Sequence, residues 1–103
     1  MSDLRLSARF AQNMLRHRKE AGLSQERVAL RSGLHRTEIS ILERGFRMPQ
    51  LNTIVRIAGG LGIAPCELLE GMAWRPGDLT PGGFEPADEE ERDSDGRAAS
   101  IQQ

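Results

Sequence analysis

Apolar residues recur with a helical period near the start of the chain, and glycines separate one apolar stripe from the next. The first stripe has the spacing i, i+1, i+4, i+5 and consists of Phe10, Ala11, Met14 and Leu15. This spacing places the apolar side chains on one face of a helix. We therefore expect a helix over residues 7–21, capped by Ser7 and ended by Gly22, after a flexible stretch at residues 1–6.

Two shorter helices follow, joined by a turn of about three residues. The second helix is expected over residues 25–32, with a serine N-cap before it and Gly33 at its end. The third is expected over residues 36–44, with His35 at the N-cap position and Glu38 completing a capping box. Helices joined by so short a glycine-containing turn cross steeply, which is the arrangement of a helix-turn-helix.

Two further helices complete an all-α fold of five helices. The fourth is expected over residues 51–61, and the fifth begins at Pro65, since proline is favoured in the first turn. Gly59 and Gly60 lie inside the fourth helix, where each costs about 1 kcal/mol relative to alanine. They either permit close packing or end the helix early. The five helices predict one domain over residues 7–71.

The chain changes character after this domain. Residues 72–84 are rich in proline and glycine, so an irregular extension without helix is expected there. Residues 85–103 are acidic and nearly free of apolar side chains, which predicts a disordered tail. Trp74 is interpreted as a plug against the fourth and fifth helices, with a dimer contact as the alternative.

Charge is distributed unevenly along the 103 residues. Residues 1–77 carry 12 Lys and Arg against 7 Asp and Glu, whereas residues 78–103 carry 2 against 8. The two balances, +5 and −6, give the net charge of −1. A basic domain attracts polyanions, of which nucleic acid is the commonest. The acidic tail either solubilises the protein or competes with DNA for the basic domain.

Other classes of function find little support in the sequence. Cys66 is the single cysteine, so no intrachain disulfide forms and a redox role lacks a second thiol. The chain has neither an apolar run of about 18 residues nor the apolar core of a signal peptide, which predicts a cytoplasmic protein. No metal-ligand cluster or nucleophile–base set is present, and His17 and His35 lack catalytic partners. We expect neither an enzyme nor a cofactor.

The third helix carries the candidate chemistry. A helical projection places Ile39 and Leu42 towards the core. The solvent side carries Arg36 at its flank together with Thr37, Ser40, Ile41 and Arg44. Arginine bonds the O6 and N7 atoms of guanine, and threonine contacts a base or a thymine methyl group. This surface therefore has the composition of a DNA recognition helix.

The order and spacing of these features resemble the lambda-repressor-like, or XRE/Cro-type, helix-turn-helix family. The matching segments are GLSQERVA at 22–29, SGLHRTEIS at 32–40, LERG at 42–45, the proline at 49 and IAGGLGIAPCELL at 57–69. The HRTEIS segment is also similar to the controller proteins of restriction-modification systems. The resemblance implies sequence-specific binding to double-stranded DNA and transcriptional regulation, as a repressor or an autoregulator.

The resemblance also implies a role for each matched position. The positions that match base-reading residues are Arg36, Thr37, Ser40 and Ile41. The positions that match phosphate-contacting residues are Gln25, Arg44 and Arg47. Gln25 stands first in the second helix, where backbone amides favour a phosphate. Arg18 and Glu43 match a pair that forms a salt bridge between the first and third helices.

Two positions depart from the family pattern. Ile41 is apolar where many relatives have a polar side chain, so it either contacts a thymine methyl group or packs against the core. His35 replaces the usual Ser, Thr or Asp cap, and it is expected to cap best when neutral because a positive charge opposes the helix dipole.

The expected partner is a palindromic operator bound by a homodimer, because two half-sites double the contacts of so small a domain. No membrane partner is expected. The alternative is an antitoxin or another protein-interaction module, in which residues 72–103 bind a partner protein.

Overall fold

The computed structural model describes residues 3–87 and contains five helices followed by two strands. The helices are α1 (Asp3–Glu20), α2 (Gln25–Ser32), α3 (Arg36–Glu43), α4 (Leu51–Leu61) and α5 (Pro65–Leu68). The strands are β1 (Met72–Arg75) and β2 (Gly83–Pro86).

One hydrophobic core takes side chains from all five helices. Its members are Phe10, Met14, Val28, Ala29, Ile39, Leu42, Ile57, Ala58, Leu61 and Leu68. All but one of these side chains are aliphatic or thioether groups, as a chain with few aromatic residues requires. The core fixes the positions of α2 and α3, which both pack against other helices.

Helix α1 begins at Asp3, which is earlier than predicted and inside the stretch expected to be flexible. Leu6 is one turn before Phe10 and is 8% exposed, so it extends the apolar stripe by one turn. Ser7 is therefore a buried residue inside the helix, and the prediction that it caps α1 is wrong.

The helix-turn-helix has the predicted bounds to within one residue. The Ser24 hydroxyl oxygen accepts a hydrogen bond from the Arg27 amide at 3.0 Å, and Gly33 ends α2 with a φ of 70°. Helix α3 starts directly after His35, whose side chain makes no capping hydrogen bond. The predicted capping box between His35 and Glu38 is therefore absent, since imidazole is a poor substitute for a hydroxyl or carboxylate.

The two glycines of α4 have different surroundings. A methyl group on Gly60 would overlap the Ser32 hydroxyl of α2, whereas a methyl group on Gly59 would meet no atom within 4 Å. Gly60 thus permits the close approach of α4 to α2, which is one of the two predicted explanations. The helix continues through both residues to Leu61.

The C-terminal extension is a β-hairpin, so the all-α prediction is wrong for this part of the chain. The antiparallel strands pair Met72 with Pro86 and Trp74 with Phe84. The two aromatic rings meet edge to face with centroids 5.0 Å apart. Four-residue strands flanked by proline and glycine are too short to produce a recognisable alternation, which explains why the sequence pattern missed them.

The hairpin also corrects two details of the sequence interpretation. Trp74 is 55% exposed, so it is not a plug against α4 and α5. Glu85 and Pro86 belong to β2, so the prediction that the acidic tail begins at residue 85 is wrong. The remainder of that tail, residues 88–103, lies outside the described residues.

Candidate nucleic-acid interface

Helix α3 has one face in the core and the other in solvent. Ile39 and Leu42 are 0% and 1% exposed. On the opposite side, Arg36 and Thr37 are exposed, and Ser40 and Ile41 are partly exposed. The predicted base-reading residues are therefore brought together on one surface, which we call the reading surface and define as Arg36, Thr37, Ser40, Ile41 and Arg44.

Arginine side chains on this surface have no partner within residues 3–87. The guanidinium groups of Arg36 and Arg44 make no hydrogen bond or ion pair to any residue in that range, and both residues are exposed. Arg47, in the loop after α3, is likewise exposed and unpaired among these residues. Their donors are consequently available to an acceptor outside the molecule.

A buried carboxylate holds the last turn of α3 against the other helices. Arg18 of α1 binds Glu43 through two hydrogen bonds, from Nε to Oε2 at 2.6 Å and from Nη2 to Oε1 at 3.1 Å. The Gln25 side-chain amide of α2 donates to Glu43 Oε1 at 3.0 Å. The side chains of Arg18 and Glu43 are only 15% and 6% exposed. One carboxylate therefore joins three helices.

Gln25 occupies the first turn of α2 and has two kinds of donor. Its side-chain amide is already bonded to Glu43. Its backbone amide, together with that of Glu26, has no acceptor within residues 3–87. Free amides at a helix N-terminus favour an anion through both hydrogen bonding and the helix dipole. The phosphate contact implied by the sequence would use this backbone, with the side chain fixing its position.

Helix α3 carries one more polar residue next to the reading surface, Glu38, which the sequence pattern predicts to be part of a capping box. Glu38 is partly buried and lines a cleft of about 190 Å³ together with Arg47, Gln50 and Thr53. Because His35 does not cap the helix, Glu38 is not part of a capping box. Its carboxylate has no hydrogen bond or ion pair within residues 3–87. Only the structure reveals this free carboxylate.

Residues 3–87 contain neither a metal-binding cluster nor a helix that could span a membrane. Residues 3–87 contain no group of three His, Cys, Asp or Glu side chains that could hold a metal ion. None of the helices described here has the length and apolar character to span a bilayer.

Known proteins match the region that contains this interface. A family model described as helix-turn-helix (HTH_3) matches residues 15–68. An uncharacterised HTH-type transcriptional regulator of Sinorhizobium fredii is 42% identical over 71 residues, which is 69% of this chain and 86% of that protein. The control protein C.BamHI of Bacillus amyloliquefaciens is 43% identical over 51 residues, which is 50% of this chain and 63% of that protein.

Solved structures agree with the sequence matches. The restriction-modification controller protein C.AhdI from Aeromonas hydrophila aligns with a TM-score of 0.59 and 40% identity, covering 60% of this chain and 94% of that chain. The hypothetical transcription factor NHTF from Neisseria aligns with a TM-score of 0.59 and 41% identity, covering 62% and 74%. The chain belongs to the XRE-type helix-turn-helix family, and the resemblance predicted from its sequence is confirmed.

Proposed function

We propose that this protein binds double-stranded DNA in a sequence-specific way and regulates transcription by inserting α3 into the major groove. The observation that carries the proposal is the two-sided character of α3. Its core side is held by Ile39, Leu42 and the buried Glu43 carboxylate, while its solvent side presents arginine and short side chains without partners in residues 3–87. A rigid helix with free donors on one side is suited to reading base edges.

The proposed contacts fall into two groups. Base edges are read by Arg36, Thr37, Ser40 and Ile41, whose side chains share one side of α3. Phosphates are bound by Gln25 at the start of α2 and by Arg44 and Arg47 after α3. Phosphate contacts set the position of the helix on the duplex, and base contacts then select the sequence. The balance of +5 over residues 1–77 favours the same partner.

We further propose a homodimer on a palindromic operator. One helix of eight residues contacts only a few base pairs, whereas two copies related by a twofold axis read two half-sites. The names of the relatives, transcriptional regulators and control proteins, support a regulatory role, which we propose is that of a repressor or an autoregulator. Such a protein acts in the cytoplasm, where it meets chromosomal DNA.

Selection from a random DNA library tests the proposal and gives the half-site and its spacing. In wild-type protein we expect a palindromic motif. Arg36→Ala should lose about 1–3 kcal/mol of discrimination at one position of each half-site, because it removes a bidentate contact. The affinity should also fall steeply between low and moderate salt concentration, because bound phosphates release counterions. A weak salt dependence would contradict the proposed docking.

A second candidate is an antitoxin or another protein-interaction module, and the hairpin is the observation that favours it. Trp74 and Leu79 are 55% and 96% exposed. Exposed aromatic and leucine side chains are typical of protein contacts. If residues 72–103 bind a partner protein, Trp74→Ala should abolish co-purification of that partner from the source cells without changing the selected DNA motif. An unchanged set of co-purified proteins would count against this candidate.

A further inference from the structure

Glu38 is the acidic residue of α3 that lies beside the reading surface, and its carboxylate has no hydrogen bond or ion pair within residues 3–87. It stands at the third position of the helix, directly after Arg36 and Thr37 and one turn before Ile41. Neither the His35 side chain nor a backbone amide engages its carboxylate. A partly buried carboxylate without a hydrogen bond loses part of its hydration and gains no partner within residues 3–87.

The surroundings keep this carboxylate available. Arg47 and Gln50 line the same cleft, but neither side chain forms a hydrogen bond or an ion pair with Glu38. Arg47 contributes a nearby positive charge that reduces the repulsion between Glu38 and DNA phosphates. Glu38 therefore remains an acceptor on a surface where the other charged side chains, Arg36 and Arg44, are donors.

From this geometry we propose that Glu38 is a specificity-determining residue that selects a cytosine in each half-site. The inference rests on the proposed function, since it assumes that α3 lies in the major groove. An ionised carboxylate only accepts hydrogen bonds, and the exocyclic N4 amino group of cytosine is a pure donor in that groove. Guanine presents only acceptors at its N7 and O6 atoms, so it places like partial charges opposite Glu38.

A carboxylate that reads a base has a different effect on DNA binding from one that merely lies near the phosphates. A carboxylate repels every phosphate equally, so a surface acid that merely adjoins DNA weakens all sequences alike. A residue that reads a base changes the ranking of sequences at one position. These two consequences are measured separately by affinity and by sequence preference.

The test compares DNA selection for the wild type, Glu38→Gln and Glu38→Asp. In the wild type we expect one cytosine per half-site close to the base read by Arg36. In Glu38→Gln, that position should change from cytosine to adenine, because an amide side chain bonds adenine N6 and N7. In Glu38→Asp, the cytosine should remain with a preference reduced about 10-fold, because the charge persists on a shorter side chain that reaches the base less well.

Glu20→Gln is the matched control, since it removes one negative charge from the exposed end of α1. It should leave the motif unchanged. Thermal unfolding of each variant shows whether the domain is folded. We expect only a small loss for Glu38→Gln, because the carboxylate has no bonded partner but does interact favourably with the N-terminus of α3. A motif that is identical in the wild type and Glu38→Gln would overturn the inference while leaving the proposed function intact. A wild-type protein that selects no motif would overturn both.

Discussion

The helical domain is stabilised by an extensive core, whereas the hairpin is stabilised by few interactions. Ten core residues from five helices stabilise the domain, and a buried ion pair joins three of those helices. The hairpin has four paired residues in each strand, one aromatic pair and one ion pair, between Arg75 and Glu85. An isolated two-stranded sheet is marginally stable in water. From this difference we expect that α3 belongs to the cooperative unit, whereas the hairpin opens separately beyond Met72, which packs against the core.

The largest expected effect is in the core beneath the reading surface. Ile39→Ala removes a fully buried side chain of α3 and should cost about 2–5 kcal/mol in the free energy of unfolding. Urea denaturation measures this loss. Leu79→Ala, at a residue that is 96% exposed in the hairpin loop, is the control and should change it by less than about 0.5 kcal/mol. Similar losses for both variants would break the distinction between the two regions.

The buried ion pair should be worth more than an exposed one. Arg18→Met leaves the Glu43 carboxylate with Gln25 alone, and it should cost about 2–3 kcal/mol, slightly below the value typical of fully buried pairs. Arg16→Met breaks the exposed pair with Glu70 and should cost about 1 kcal/mol or less. Chemical denaturation of both variants measures the difference. Equal losses would show that burial of Glu43 adds nothing.

Alanine substitutions at the two adjacent glycines of α4 should change the stability of the domain in opposite directions. Gly60→Ala should destabilise the domain by about 1–3 kcal/mol, since the new methyl group overlaps the Ser32 hydroxyl. Gly59→Ala should stabilise it by about 0.5–1 kcal/mol, because alanine favours the helix and has open space. Thermal melting shows whether each substitution raises or lowers the melting temperature. Stabilisation by both substitutions would mean that the Ser32 hydroxyl turns aside, or the two helices move apart, without cost.

The smallest effect on the free energy of unfolding of the helical domain is expected for a substitution in the hairpin. Trp74→Ala removes an aromatic pair worth about 0.5–1.5 kcal/mol locally and should leave the unfolding of the helical domain unchanged. Hydrogen exchange should become faster at Ala73 and Arg75, which lie in hydrogen-bonded pairs of the hairpin, but not at core amides such as that of Ile39. Asp78→Ala, in the hairpin loop, is the control and should not alter these rates. Faster exchange throughout the domain would show that the hairpin is part of the cooperative unit.

Local sequence rules were sufficient for the helix-turn-helix. Ser24, Gly33 and the short turn determined the bounds of α2 and the start of α3, because capping and left-handed glycine conformations depend on neighbouring residues only. The predicted start of α1 is too late because burial of Leu6 depends on residues that are distant in the sequence.

The candidate site was only partly accessible from the sequence. The surface side of α3 follows from its period, so the grouping of Arg36 and Thr37 was predictable. The link from Gln25 to Glu43 joins residues 18 positions apart on separate helices, and no local pattern encodes it. The prediction that Glu38 belongs to a capping box is wrong, because the structure contains no capping hydrogen bond between His35 and Glu38.

The hydrogen bonds among Arg18, Gln25 and Glu43 support α3 from the side opposite the reading surface. The bonds that orient α3 run through Arg18, Gln25 and Glu43, and none of them involves a side chain of the reading surface. The apolar contacts of Ile39 and Leu42 are likewise on the core side. Substitutions on the reading surface therefore leave the support of the helix in place. If α3 reads DNA as proposed, a lineage or a designer can change the recognised sequence while keeping the same folded scaffold.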